Sequence, residues 1–305
     1  MAEKFSYSKI DTYSQCGFKY KLRYVDGNFV NTGGLATELG TAIHAIEETI
    51  ANTIKAGQQI DYITLKNQLL LKLAYFEHKF PEAFVERDKS GRTAKDKLFE
   101  YLSKGIYRLE NFLMANGHLE VVATEKKFSF ERDGVIFNGF IDRILYDHFN
   151  KKYIVQDIKT YAVPVESTNL ATPLQFVVYV LAMKELFGAE ADDVVCSYDL
   201  PFCDLVQPAG TAGFISRGTK KLKKLLDSIE EKDFKPNPSP LCHWCEFCAT
   251  NPNQPAEAKN LCPYYSLWTK ENKTFATAAT WEGLDKHETI LLDYIKRHNS
   301  AAFTV

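Results

Sequence analysis

The sequence has little that would mark an exported, membrane-spanning or fibrous chain. Its longest unbroken apolar stretch is the eight residues Phe176–Met183, far short of the ~20 that a membrane-spanning helix needs, so no membrane partner is expected. The opening MAEKFSYSKI has no apolar signal core. Neither charge dominates: 37 Lys and Arg stand against 39 Asp and Glu, net −2. That excludes a uniformly basic coat for nucleic acid, though not a local basic groove. No phosphate-cradling G-x-x-x-x-G-K-[ST] loop is present, so any ATP-driven unwinding would fall to a partner. Repeats and low-complexity tracts are missing too. The seven cysteines are odd in number, which argues against a disulfide framework and for a reducing, intracellular compartment. What remains is a composition of 45% hydrophobic and 25% charged residues over 305 positions, ordinary for a globular protein of one large domain or two smaller ones.

Hydrophobic spacing supplies the elements. Leu39, Ile43, Ile46, Ile50 and Ile54 recur at helical intervals over 36–54. A short helix over 6–14 precedes them, and helices over 62–79 and 94–115 follow. After residue 119 the character changes to short runs rich in Val, Ile, Phe and Tyr, predicting strands over 119–130, 135–146 and 152–160. A helix over 168–187, strands near 193–200 and 204–207, and helices over 211–231 and 284–297 complete the reading. The order predicts one mixed α/β domain over 1–305: a mainly helical part (1–118), a sheet core (119–231) and a cysteine-held tail with a terminal helix (232–305).

The segment FNGFIDRILYDHFNKKYIVQDIKTY carries the chemistry. If its two strands form a hairpin about the turn at Phe149-Asn150, opposed residue numbers sum to 299, and Asp142 faces Asp157. Opposed residues have Cβ atoms ~5 Å apart, and two carboxylates that close repel unless a cation or proton joins them. Alternation puts Lys159 on the face of Asp157 and turns Ile158 to the core. Paired oxygen ligands suit Mg²⁺ or Mn²⁺, and a lysine beside them can orient water or meet charge on a phosphate. The set suits metal-assisted phosphodiester hydrolysis.

Four cysteines crowd one segment, Cys242-x2-Cys245-x2-Cys248 followed by Cys262. They could hold Zn²⁺ by four thiolates, or supply three ligands of a [4Fe–4S] cluster with a fourth from elsewhere. Cys196 and Cys203 read as buried strand residues. Basic clusters occur at Arg217, Lys220, Lys221, Lys223 and Lys224, at Lys19, Lys21 and Arg23, and at Lys126-Lys127; such local clusters are what phosphate neutralisation requires.

Six segments in order, YSQCGFKYKLRY, LGTAIHAIEE, GFIDRI, VQDIKTY, LQFVVYVLAM and CHWCEFC with Cys262, resemble the RecB-like nucleases of the PD-(D/E)XK superfamily, particularly the iron–sulfur branch with AddB-type helicase-nucleases and CRISPR-associated RecB-like exonucleases. The resemblance implies a restriction-endonuclease-like mixed sheet flanked by helices, with an N-terminal helical insertion and a cysteine-held C-terminal segment. It implies that His44, Asp142, Asp157 and the Ile158 carbonyl bind the divalent metal, that Lys159 positions or activates water, and that Gln175 and Tyr179 line the site and touch DNA. Glu125 is a further acidic candidate. It also implies a [4Fe–4S] cluster on Cys16, Cys242, Cys245 and Cys262, with Cys248 as the alternative to Cys262 and zinc as the alternative to the cluster. The expected activity is metal-dependent DNA exonuclease action on ends or single strands in recombination, repair or replication, with a helicase or recombination partner, in the cytoplasm (a host's, if phage-encoded). The competing expectations are a non-catalytic or partner-activated DNA-binding protein and a zinc-held RNA-binding protein, the last of which leaves the carboxylate hairpin unexplained.

Overall fold

The computed structural model describes residues 3–29, 33–237, 239, 241–242, 245–247 and 261–262. In chain order the elements begin with β1 (Lys4–Phe5), α1 (Tyr7–Gln15), α2 (Gly17–Tyr20) and a wide helical turn at Lys21–Val25. Then come α3 (Leu35–Lys55), α4 (Tyr62–Lys79), α5 (Pro81–Val85), α6 (Ala94–Ser103) and α7 (Arg108–Ala115). The sheet follows with β2 (Leu119–Arg132), β3 (Val135–Asp147) and β4 (Lys152–Ile158), then α8 (Ser167–Leu170), α9 (Leu174–Phe187), β5 (Val194–Leu200), β6 (Leu205–Ala209) and α10 (Phe214–Glu230). The chain divides into two compact units, Met1–Tyr7 with Gly33–Leu222 and Ser8–Thr32 with Lys223–Val305.

The first unit is α/β, a mixed six-stranded sheet flanked by helices. The strand order is β1-β3-β4-β5-β6, with β2 also on β3. β2 and β3 form a long hairpin closed by Asp133-Gly134, both at positive φ (52° and 78°), the two-residue turn whose twist matches paired strands and which glycine fits without strain. β3 and β4 are joined through Asp147, whose carboxylate accepts the Phe149 and Asn150 N–H groups, both at 2.9 Å. That turn sets the register, and every pair from Asp147↔Lys152 to Arg143↔Gln156 keeps the sum of 299. β4 and β5 run parallel, with Asp157 beside Tyr198 and Ile158 beside Asp199.

Helices α3 to α7 pack with one another and with the sheet. α3 buries Leu39, Ile43, Ile46 and Ile50, one stripe at helical spacing, against Leu65, Leu69, Leu73, Leu98 and Leu109 of its neighbours and Val121 and Leu145 of the sheet. Each such side chain contributes ~1.5–3 kcal/mol, so this core fixes where α3 lies on the strands. Local signals start the helices: Asp61 caps α4, and Thr93 with Asp96 forms a reciprocal capping box on α6.

α9 is buried on all sides from Phe176 to Met183, which explains its lack of a polar face there. By length and hydropathy alone Ser167–Phe187 could cross a membrane; within the protein, nine α9 residues from Leu174 to Met183 are core. The expected helix over 168–187 is in fact two, because Pro173 lacks an N–H and serves as the N-cap of α9. The expected helix over 94–115 is likewise interrupted by a tighter turn at Gly105–Tyr107. β4 ends at Ile158, two residues before the expected limit. Cys196 is buried on β5 as expected, whereas Cys203 sits half-exposed in the turn before β6, its thiol 3.4 Å from the Tyr161 carbonyl oxygen. The expected helix over 284–297 and Cys248 lie outside the described residues.

Candidate active site

The site lies where β3 and β4 part. Their ladder ends at Arg143↔Gln156, one step short of Asp142 and Asp157. Beyond that point Asp142 Oδ2 accepts the Ile158 N–H at 2.7 Å, while the Lys159 N–H turns to the Asp199 carbonyl at 2.9 Å. A side chain thus replaces the next rung of the ladder, and the two carboxylates stay at the fork.

α3 brings His44 to the fork. Its Nε2 lies 2.8 Å from the Ile158 carbonyl oxygen. A carbonyl only accepts, so this contact assigns the proton to Nε2. Nδ1 faces Glu125 Oε1 and Asp142 Oδ2, each at 3.8 Å. One ligand atom from each of His44, Glu125 and Asp142 fits within a 4.8 Å span. Glu125 reaches this place by a backbone distortion. It occupies the β2 position between Thr124↔Arg143 and Lys126↔Ile141, opposite Asp142, with φ of +42°. A non-glycine residue there costs ~1–3 kcal/mol and is typical of functional sites.

Asp157 is fully buried. Its Oδ1 accepts Gln175 Nε2 at 2.6 Å, with the Tyr179 hydroxyl at 3.4 Å. Gln175 and Tyr179, one turn apart on α9, also meet each other at 2.9 Å. Asp157 Oδ2 has no aligned hydrogen bond; the Lys159 ammonium lies 2.7 Å away as an ion pair. So His44, Glu125, Asp142, Asp157, Ile158, Lys159, Gln175 and Tyr179 all meet at one place.

The charges there are out of balance. Burial, then the neighbouring Asp157, pushes the Asp142 carboxyl up to about 7. Burial also raises Asp157, against the opposing pull of Lys159. For His44 burial is the largest single influence and lowers the pKa, but Glu125, Asp142 and the Ile158 carbonyl together raise it. Lys159 is raised in the same way, with burial outweighed by Asp157 and Asp142. Burial and the Asp157 charge hold Tyr179 as a neutral phenol. A cluster of desolvated carboxylates in which the one ammonium, Lys159, is paired with Asp157 leaves a demand for positive charge at Asp142. Carboxylates, a backbone carbonyl and an imidazole form a donor set that fits a hard divalent cation.

Behind the site lies a buried ionic network that the sequence did not announce. Arg143 Nη2 is 2.7 Å from Glu47 Oε2, and Nη1 is 2.7 Å from Asp199 Oδ2 and 3.1 Å from Gln156 Oε1. Arg108 pairs with the other Asp199 oxygen, and the Tyr101 hydroxyl donates to Glu47 at 2.8 Å. Three of its members adjoin site residues: Glu47 is one helical turn from His44, Arg143 follows Asp142 and Gln156 precedes Asp157. The one available sequence signal was polar residues at inward strand positions, such as Arg143 between Ile141 and Leu145.

In the second unit, Cys16, Cys242, Cys245 and Cys262 line one small pocket with Phe18 and Leu22. Backbone N–H groups of Lys19 and Asn237 approach Cys16 Sγ at 3.4 and 3.3 Å, and that of Ser239 approaches Cys242 Sγ at 3.4 Å. Burial pushes the Cys245 thiol up to about 11. Glu246, nearly buried beside it, is held by Lys19 and Arg23, both at 3.1 Å. Four thiols on one pocket, met by N–H donors, suit a thiophilic metal centre and fit zinc and an iron–sulfur cluster alike. Of the basic residues on α10, Arg217 is engaged by the Ala212 and Ala171 carbonyls and Lys223 by Asp227, while Lys220, Lys221 and Lys224 are exposed.

The fold and this constellation of acids, lysine and histidine define a nuclease. The chain belongs to the PD-(D/E)XK nuclease superfamily, whose profile matches residues 4–250, and nucleases of that superfamily use divalent metals. It is 27% identical over 211 residues to an ATP-dependent helicase/deoxyribonuclease subunit from Carboxydothermus hydrogenoformans. That match takes in 61% of this chain and 19% of the relative, so the chain spans about a fifth of that protein. A putative exonuclease from Eubacterium rectale aligns with 80% of this chain and 87% of its own at 12% identity and a TM-score of 0.42.

Proposed function

We propose that the protein is a divalent-metal-dependent deoxyribonuclease, acting as an exonuclease on free ends or single strands in recombination, repair or replication. The observation that carries this reading is the fork itself, which brings ligand atoms of His44, Glu125 and Asp142 within 4.8 Å of one another, with the Ile158 carbonyl against His44 and the Asp157–Lys159 pair on the facing strand. His44, Asp142, Asp157 and the Ile158 carbonyl would hold Mg²⁺ or Mn²⁺, with Glu125 as a further oxygen donor. A cation bound there supplies neutralisation of the scissile phosphate and a more acidic water. The protein's own part is positional. Gln175 and Tyr179 fix Asp157 Oδ1 and leave Oδ2 toward the ion and Lys159. The Lys159 ammonium, held by Asp157, can orient the attacking water or donate to a phosphate oxygen as charge builds on it. The Asp142–Ile158 hydrogen bond keeps the two strands at the spacing the site needs.

The four-cysteine pocket is read as a structural metal centre, a [4Fe–4S] cluster with zinc as the alternative. The helicase-nuclease relative supports a helicase or recombination partner that supplies opened DNA; the cytoplasm is read as the place of action from the odd cysteine count alone.

The test is cleavage of end-labelled single- and double-stranded DNA by anaerobically purified protein, with Mg²⁺ or Mn²⁺ and a Lys159→Ala control. The expected result is metal-dependent degradation from ends, reduced at least ~100-fold in the control. Binding without cleavage in either metal would move the reading to a DNA-binding or partner-activated protein.

A further inference from the structure

We propose that the outward face of the β2–β3 ribbon is a track for an unpaired nucleic-acid strand, with Phe140 as a stacking platform for a base and Lys127 as its phosphate contact. The inference rests on the nuclease reading above and names residues that would deliver the substrate to the fork.

The register builds the track. From the bulge onward, opposed pairs on this hairpin include Lys127↔Phe140 and Ser129↔Asn138, and Glu125 stands opposite Asp142 by the same count. Side chains alternate faces along a strand, so Lys127↔Phe140 and Ser129↔Asn138 share one face about 7 Å apart, and the next pair along the ribbon is Glu125 and Asp142, where Glu125 leaves the regular strand at φ +42°. Burial follows the alternation. Phe128, Phe130, Phe137 and Ile141 are core, whereas Lys127 and Ser129 are exposed and Phe140 is 51% exposed. Among the described residues the other edge of β3 is unpaired here as well, since its pairs with β1 are at 136–137 and those with β4 begin at 143. The acids of the fork are therefore the next pair along the ribbon from a cation beside an aromatic ring and then a hydroxyl beside an amide.

A lone exposed phenylalanine would mean nothing. This one is held on a paired strand one rung from the site, and among the described residues no second ring or cation lies against it. Lys127 likewise has no acid partner among the described residues. An exposed ring face accepts any base that is free to stack, which an intact duplex does not offer. The cation opposite it offsets the phosphate charge that Glu125 and Asp142 would otherwise repel. The occupant is thus a single strand, with the base on Phe140 in the same nucleotide as the phosphate at the fork or in the next one.

The test uses the full-length protein and a cleavage-resistant phosphorothioate oligothymidylate carrying one 2-aminopurine, beside a blunt duplex. Phe140→Ala and Phe140→Leu should weaken single-strand binding roughly 5- to 100-fold and abolish the 2-aminopurine response, as expected for the loss of one base stack. Phe140→Trp should retain both. Lys127→Gln should lower the slope of log affinity against log salt by about 0.7, the value for one phosphate on a single strand, while Phe140→Ala leaves that slope alone. Unchanged affinity in Phe140→Ala, an unchanged slope in Lys127→Gln, or equal losses on single strand and blunt duplex would overturn the track while leaving the nuclease intact. A wild-type protein that neither binds nor cleaves single strands would remove the reading on which the track depends.

Discussion

Replacing Asp142 with Asn should make the metal-free protein more stable and inactive at once. The Asp142 carboxyl ordinarily titrates at 3.8 and is pushed up to about 7 by burial and by Asp157. At ~1.4 kcal/mol for each tenfold step in acidity, the ionised group costs the fold up to ~4 kcal/mol at pH 8. Burial is the larger cause and Asp157 the second; a neutral amide avoids both but is itself buried, so the substitution should recover about half, ~2 kcal/mol. The amide keeps the oxygen that accepts the Ile158 N–H, so the link between the strands survives. For a unit of this size ~2 kcal/mol corresponds to a melting temperature higher by about 4–8 °C. The sign follows from proton uptake. Between pH 4 and 7 the folded wild type binds more protons than the unfolded chain, so its stability falls as pH rises. The Asn variant lacks that slope, and its advantage should shrink steadily as pH is lowered from 7 toward 4. Saturating Mg²⁺ should reverse the order, because a ligand at a hundred times its Kd adds ~2.7 kcal/mol to the wild type alone. The assay is thermal unfolding in EDTA and in Mg²⁺ across that pH range, with cleavage measured in parallel. A variant no more stable than wild type in EDTA at pH 8, or an advantage independent of pH, would refute the view that the acids at the fork repel one another until a cation joins them.

Other expected outcomes follow from neighbouring features. Arg143→Leu strands the buried carboxylates of Glu47 and Asp199 and should cost ~3–5 kcal/mol by urea unfolding, whereas Tyr101→Phe removes one hydrogen bond to Glu47 and should cost only ~1 kcal/mol. Gly218→Ala gains ~1 kcal/mol of helix propensity, yet its Cβ would stand 2.3 Å from Val177 Cγ2; overpacking of ~1–3 kcal/mol should win, visible as a lower urea midpoint. Anaerobic protein should be brown, with thiolate–iron absorption near ~400 nm that Cys16→Ser removes; a colourless preparation with one zinc per chain would select the zinc alternative.

What could be read from the residues, and what could not, divides by the range of the interaction. The β3–β4 register was legible because strand alternation is local and the turn at Asp147 pins it, so the count that opposes Asp142 to Asp157 needed no knowledge of the rest of the fold. The fork went unforeseen. Nothing in the segment says that Asp142 would take the Ile158 N–H, because that depends on Asp199 of β5, forty residues on, capturing the Lys159 N–H across a parallel pairing. Glu125 was hard to place for a related reason. Its approach to His44 follows a slip in the β2–β3 register between Val121 and Ala123 and a left-handed backbone, neither of which leaves a mark such as glycine. Arg143 carries the point furthest. Read locally it is a charge interrupting a strand, and only the approach of α3 and β5 from distant parts of the chain supplies Glu47 and Asp199 to neutralise it. The chemistry at the front of the strands is therefore written in neighbouring letters, while the support behind it depends on tertiary packing. A sequence that preserves the acids and Lys159 but loses Glu47 or Asp199 should retain the motif and lose the geometry, so intact motif residues are a necessary sign of this active site and not a sufficient one.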